Sequence, residues 1–194
     1  MISIKKLSEG NTYIKYRTIL PNNLKLSKTH YEELWNMHPK NFGQIKIFNK
    51  LINTPRWFQN YGHNYNFSNM NHSSLDIPSI LQPFINFVNK SEPTINYNGI
   101  LVNWYENGSH YIGKHSDDEK DLIPNSPIYC FSFGSERNFI LESKSNKDTK
   151  YKYTLLNNSL IVMGGECQKY YKHSIPKSKT NNSRISITIR AFKT

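Results

Sequence analysis

From Ile95 to the C-terminus, apolar residues recur at every second position in short runs broken by turns. That period belongs to strands and predicts them at roughly 95–105, 127–133, 137–142, 151–156, 159–163, 170–174 and 184–192. The last run is the cleanest. In Arg184-Ile185-Ser186-Ile187-Thr188-Ile189-Arg190 three isoleucines share one face, and Arg184, Ser186, Thr188 and Arg190 share the other. Upstream the period is that of a helix: Ile80, Leu81, Phe84, Ile85 and Val88 line one face of a helix expected over 78–89, with Pro83 inside it. Thr29-His30-Tyr31-Glu32 fits a capping box, so a packing helix is expected from Thr29 to about His38, stopped by Pro39. Between the helices, Gln44 to Leu51 alternates into a turn at Asn49-Lys50, a hairpin with Phe48 near its tip. Residues 1–26 are mixed and close on a loop at Pro21-Asn22-Asn23, while residues 54–68 are aromatic, glycine-punctuated and nearly free of acid.

Many short strands after two helices predict an α+β chain: a β-sandwich or jelly roll with the helices on one outer side. There is no internal repeat and no linker composition, so residues 1–194 are expected to form one domain.

Composition narrows the class of partner. With 37% hydrophobic and 13% aromatic residues the chain can bury a core and is not of the disordered type. A net charge of +11, from 25 basic against 14 acidic residues, favours a polyanion, nucleic acid above all. The basic residues are scattered, so charge names a partner and no site. Cys130 and Cys167 are the only cysteines, which excludes a disulfide scaffold and a zinc-finger pattern and fits a reducing compartment. Met1-Ile2-Ser3-Ile4-Lys5-Lys6 carries no secretory signal, and no apolar run reaches the roughly 18 residues of a membrane span. An intracellular protein of nucleus or cytoplasm, not secreted and not membrane-bound, is expected.

Candidate chemistry starts at His115-Ser116-Asp117. A histidine and a carboxylate two residues apart point the same way from extended backbone, which is half of a facial two-histidine, one-carboxylate site for non-haem iron. By itself an exposed His-x-Asp is common and often only solvated. His173, 56 residues beyond Asp117, is a candidate for the remaining ligand, at a spacing a jelly roll can close. Arg184 and Arg190, at most about 20 Å apart along a strand, could lean toward one elongated dicarboxylate or form an exposed basic face. Asn103 and Tyr105 share a strand face and could address a bound acid, and Phe48 reads either as core packing or as a wedge for a base stack.

Taken in order, Asn103-x-Tyr105, His115-x-Asp117-Asp118-Glu119, Ser126-Pro127-Ile128, Ser132-Phe133-Gly134, His173-Ser174-x-Pro176 and Arg184-x-Ser186-x-Thr188-x-Arg190 make a series that resembles the AlkB family. These are iron(II)- and 2-oxoglutarate-dependent dioxygenases that remove alkyl groups from nucleic-acid bases. The resemblance runs from about residue 44 to 192 and is nearest to the branch that repairs double-stranded DNA in higher cells. That branch's finger, Pro-Arg, Tyr-Gly and Tyr-x-Phe read here as Ile47-Phe48-Asn49, Pro55-Arg56, Tyr61-Gly62 and Tyr65-Asn66-Phe67. Asn49 departs from the pattern, standing where a glycine is expected.

The resemblance implies a double-stranded β-helix with N-terminal helices on one outer face and a hairpin finger or lid. It divides the single domain into an N-terminal extension and helix (1–43), a nucleotide-recognition lid (44–93) and a jelly-roll core (94–194). Fe(II) would be held by His115, Asp117 and His173. The co-substrates would be 2-oxoglutarate and O2, with 2-oxoglutarate met by Asn103, Tyr105, Arg184, Ser186, Thr188 and Arg190. The flipped base would meet Tyr65, Phe67, Asp118 and Glu119, with Phe48 filling the space it leaves. The finger and phosphate contacts would be Ile47, Phe48, Asn49, Arg56, Arg137, Lys144, Lys177 and Lys179. The implied activity is oxidative demethylation of 1-methyladenine- or 3-methylcytosine-type bases in DNA, duplex above single-stranded, by a monomer. The alternatives are an RNA demethylase of the same family and a non-catalytic nucleic-acid-binding module on this fold.

Overall fold

The computed structural model describes residues 2–47, 50–67 and 70–193. In chain order the first elements are β1 (Ile2–Lys6), β2 (Thr12–Arg17), α1 (Lys28–Asn36), β3 (Gln44–Ile47), β4 (Lys50–Asn53), β5 (Trp57–Tyr61), β6 (Tyr65–Phe67), β7 (Met70–His72), β8 (Ser74–Leu75) and α2 (Gln82–Ser91). They are followed by β9 (Gly99–Tyr105), β10 (Ile112–His115), β11 (Ile128–Gly134), β12 (Arg137–Ser143) and β13 (Lys150–Leu155). The chain closes with β14 (Ser159–Gly165), α3 (Cys167–Tyr170), β15 (Tyr171–Ile175) and β16 (Arg184–Arg190).

Two sheets carry the fold. The major sheet has eight strands in the order β1-β2-β14-β11-β16-β9-β5-β8, and the minor sheet four in the order β10-β15-β12-β13. Their inner faces pack together through Tyr105, Ile128, Cys130, Ile161 and Met163 from the major sheet and Phe139, Leu141, Leu155, Tyr171 and Ile175 from the minor one. The outer face of the major sheet buries Val102, Trp104, Phe131, Ile185, Ile187 and Ile189 against Leu34 of α1 and Phe84, Ile85 and Val88 of α2. This is a double-stranded β-helix with helices on one outer side. A strand covered on both faces cannot expose its polar residues, so every residue of β9 and β16 is buried, Arg184 and Arg190 included.

Some expectations need correction. The helix α1 is capped by Ser27, whose hydroxyl accepts from His30 N at 3.1 Å, and Thr29 lies inside its first turn. Pro83 stands in the first turn of α2, where its missing N–H has no helical partner to lose. The N-terminal stretch is more than an extension and a helix: β2 pairs with β14 and β1 with β2, adding two strands to the sheet. The aromatic stretch 54–68 contributes β5, paired with β9, and β6.

The 44–51 hairpin is present, with β3 and β4 paired so that Ile47 faces Lys50, and β6 and β7 form a second ribbon. Phe48 and Asn49 lie outside the described residues, as do the side chains of Ile47 and Phe67. Among the described residues no helix is long and apolar enough to cross a membrane.

Candidate metal centre and its cavity

A cavity of about 1040 Å³ opens between the sheets under the two ribbons. Ile45, Ile52, Tyr65 and Met70 line it from the ribbon side; Asn103, Tyr105, Cys130, Ser186 and Thr188 line it from the major sheet. It is at the upper end for a small-molecule site, with room for a co-substrate and part of a second ligand.

His115 ends β10 and pairs directly across the ladder with His173 of β15, their rings 4.1 Å apart. Asp117 follows where the strand has ended. Its Oδ1 is 3.4 Å from His115 Nε2 and its Oδ2 4.0 Å from His173 Nε2. One ligand atom from each of the three lies within 4.8 Å of the others, so the cluster can surround a single ion. Two imidazole nitrogens and one carboxylate oxygen are the donor set of the facial iron site. His115 Nδ1 sits 2.9 Å from Gly113 O, which orients the ring and leaves Nε2 for the ion. Phe139 stacks at 24° on the His173 ring.

Electrostatics prepare these groups as ligands. Burial, reinforced by His115, pushes the His173 pKa down to about 3, so its imidazole stays neutral and its nitrogen lone pair is available. Burial alone would raise Asp117. Arg190 overrides it, donating to Oδ2 from Nε at 3.0 Å and Nη2 at 2.7 Å, and holds the carboxyl well below the usual range. Arg190, desolvated but facing Asp117, is in turn raised further above its ordinary value.

The co-substrate candidates converge on the other part of the same cavity. Arg184 is 1% exposed; its Nη2 donates to Ser132 Oγ at 2.9 Å, and its guanidinium lies 4.9 Å over the Tyr105 ring. Its Nε and Nη1 are buried without a hydrogen-bond partner among the described residues. A buried cation with two unspent donors is costly in a protein that binds nothing there, and a carboxylate satisfies it. The residues present therefore fit a ligand that brings a carboxylate to Arg184.

Tyr65 is buried beneath Arg190, whose guanidinium lies 5.0 Å over its ring, and it hydrogen-bonds with Glu119. Burial and the nearby Asp117 raise Glu119 above the ordinary carboxyl range. Asp118 differs: its side chain is exposed and sits 3.4 Å from Lys144 Nζ, at the rim. Two expected phosphate contacts are corrected. Arg56 is buried and donates from Nε to Asn103 Oδ1 at 2.7 Å, which makes it part of the cavity wall. Arg137 is buried too, its Nη2 donating to His110 O and Pro176 O at 2.7 Å each. Neither can reach a phosphate outside. Lys177 and Lys179 are exposed, and Lys144 is partly so while donating to Gln168 O at 2.8 Å.

Three contributors escaped the sequence reading: the inward course of Arg56, the Ser132 support of Arg184, and Gln168, whose Oε1 accepts from Asp117 N at 2.9 Å. No period or motif marks a single hydrogen bond between segments 51 residues apart.

The family model for the 2OG-Fe(II) oxygenase superfamily matches residues 21–190. DNA oxidative demethylase ALKBH2 of Arabidopsis thaliana is 32% identical over 133 residues, covering 57% of this chain and 42% of that protein. The human DNA oxidative demethylase ALKBH2 is 29% identical over 159 residues, covering 76% of this chain and 60% of that protein. The chain thus spans about half the length of the curated relatives it matches. The solved structure of OsALKBH1 superposes with a TM-score of 0.62 at 14% identity, over 97% of this chain and all of that one, a likeness of fold alone.

Proposed function

The chain belongs to the 2OG-Fe(II) oxygenase superfamily, and on that premise we propose that it oxidatively demethylates N-alkylated bases of DNA, 1-methyladenine and 3-methylcytosine in type. The observation that carries the proposal is the meeting, in one cavity, of the His115–Asp117–His173 cluster with the buried, half-satisfied Arg184. His115, Asp117 and His173 would hold Fe(II). When bound, the metal with 2-oxoglutarate and O2 would supply the oxidation that places a hydroxyl on an N-methyl group, 2-oxoglutarate being converted to succinate and CO2 and the hydroxymethyl leaving as formaldehyde.

The protein's own groups do the rest. Arg184 takes the far carboxylate of 2-oxoglutarate on its free Nε and Nη1, with the Tyr105 ring beneath and Asn103, Ser186 and Thr188 lining the path. Arg190 keeps Asp117 ionised and turned so that Oδ1 is left for the metal. His173, neutral, offers Nε2 without first losing a proton. A base can reach this depth only after leaving its stack. Tyr65 and Glu119 are its readers, and a cationic methylated base draws Glu119 toward its ionised form, since opposite charges attract strongly in a dry pocket. The β3–β4 and β6–β7 ribbons over the cavity act as the recognition lid within 44–93, and the sheets of 94–194 as the core. Asp118, held by Lys144, belongs to the rim. Lys177 and Lys179 meet phosphate for register and not for sequence.

The net charge of +11 supports a nucleic acid as substrate, and the two ALKBH2 relatives support DNA. We propose duplex DNA as the preferred form, a monomer as the working unit, and an intracellular site of action. The test is formaldehyde and succinate release from methylated duplex DNA, single-stranded DNA and RNA in parallel. Release from DNA above RNA is expected, and His115→Ala or Asp117→Ala abolishes it. Release from RNA alone moves the assignment to RNA, and none from any nucleic acid refutes it.

A further inference from the structure

We infer that Gln168 is a positioning residue for the metal centre, fixing the backbone from which the Asp117 ligand hangs; the inference rests on the oxygenase reading above. Asp117 stands beyond the last ladder pair of β10 and β15, which is His115 with His173. Its amide N–H therefore turns to a side chain, donating to Gln168 Oε1 at 2.9 Å. A glutamine amide has one acceptor atom, and here it is spent on the ligand's own peptide. The other end of that amide is placed as well: Gln168 Nε2 donates to Met163 Sδ at 3.4 Å, and Met163 is buried in the cavity wall.

Gln168 rides on α3, the short helix between β14 and the strand that carries His173. Gly165 makes the turn into it at φ +63°, where an added Cβ would collide with the carbonyl of Asn11. Two further ties lace 116–118 to the same helix and strand. Ser116 Oγ donates to Tyr171 O at 3.0 Å, and Lys144 Nζ joins Gln168 O at 2.8 Å to Asp118 Oδ2 at 3.4 Å. Arg190 sets which carboxylate oxygen of Asp117 is free, and Gln168 sets where the carboxylate starts from. A ligand on a segment that has left its sheet needs both, because metal affinity depends on donors held within about 0.5 Å.

Co(II) serves as the probe, titrated into the full chain and read by its visible absorption, with melting of the metal-free protein alongside. Gln168→Leu removes the acceptor and keeps the bulk, whereas Gln168→Glu keeps an acceptor at the same reach. Gln168→Leu is expected to bind Co(II) roughly 10- to 100-fold more weakly with a shifted spectrum, and Gln168→Glu to stay within about threefold of the unmodified chain. Equal affinity in Gln168→Leu and the unmodified chain overturns the inference, as does Gln168→Glu failing as badly as Gln168→Leu. Should Gln168→Leu not fold, Gln168→Asn, one methylene too short to reach, carries the test, and unchanged Co(II) affinity there is equally fatal. An unmodified chain that binds no Co(II) overturns the oxygenase reading together with this inference. Tight binding indifferent to Gln168→Leu overturns the inference alone.

Discussion

At the scale of single residues, the cavity separates two arginines that look equivalent in sequence. Arg190 is already neutralised by Asp117, while among the described residues Arg184 has a hydroxyl and an aromatic face as its partners. The first belongs to the protein's internal charge balance, and the second waits for a ligand. Arg184→Lys keeps the charge but loses the planar fork, so one carboxylate oxygen goes without its donor. The expected loss is about 1.5–3 kcal/mol, or roughly 10- to 150-fold in the dissociation constant of 2-oxoglutarate. Calorimetric titration of the metal-loaded chain measures it, and Co(II) affinity should not change. If 2-oxoglutarate binds the variant as tightly as before, its far carboxylate lies elsewhere.

Secondary-structure elements show how a helix outside the sheets still bears on the site. Trp104, on the face of β9 turned away from Asn103 and Tyr105, is fully buried and donates from Nε1 to Leu34 O at 2.8 Å, in the last turn of α1. Trp104→Phe keeps most of the ring but loses this bond, leaving the Leu34 carbonyl to the Met37 N–H at 3.3 Å, at a cost of about 0.5–1.5 kcal/mol. Urea unfolding should report the loss, and amide exchange should quicken first in α1; uniform quickening would mean that α1 is not held through this bond. Elements of this kind were readable in the sequence wherever burial imposes a period. The alternation in 184–190 announced β16 and its two faces, and the helical stripe at 80–88 announced α2 to within a few residues. Two strands without a buried face, β1 and β10, gave no such signal. All five residues of β1 are exposed, and β10 carries His115 on a pattern with no fully buried position. Their positions come from pairing partners, β2 and β15, and pairing is a tertiary event. Arg56 and Arg137 misled for a related reason. An arginine's charge predicts exposure, but carbonyl and amide acceptors can hold it inside when the fold brings them within reach.

For the whole molecule, the metal-ligand cluster and Arg184, the arginine proposed for the co-substrate, come from distant parts of the chain, so the site exists only when both sheets have closed. His115 and His173 are 58 residues apart in sequence and directly opposed in the minor sheet. An ion gripping both is a clasp across that span, and its time of arrival is set by topology. The chain must lay β15 on β10 before two ligands face each other, and such long-range pairing comes late in folding. The ion then finds nothing to bind in the folding nucleus and leaves the refolding rate unaltered, while every unfolding event must first release it. At Co(II) concentrations about 100-fold above the dissociation constant, stopped-flow unfolding should slow by up to roughly 100-fold with refolding unchanged. Accelerated refolding would instead mean that β10 and β15 pair early. The catalytic metal would then double as a kinetic lock, and a chain stripped of it, though correctly folded, would be the form most quickly lost to proteolysis.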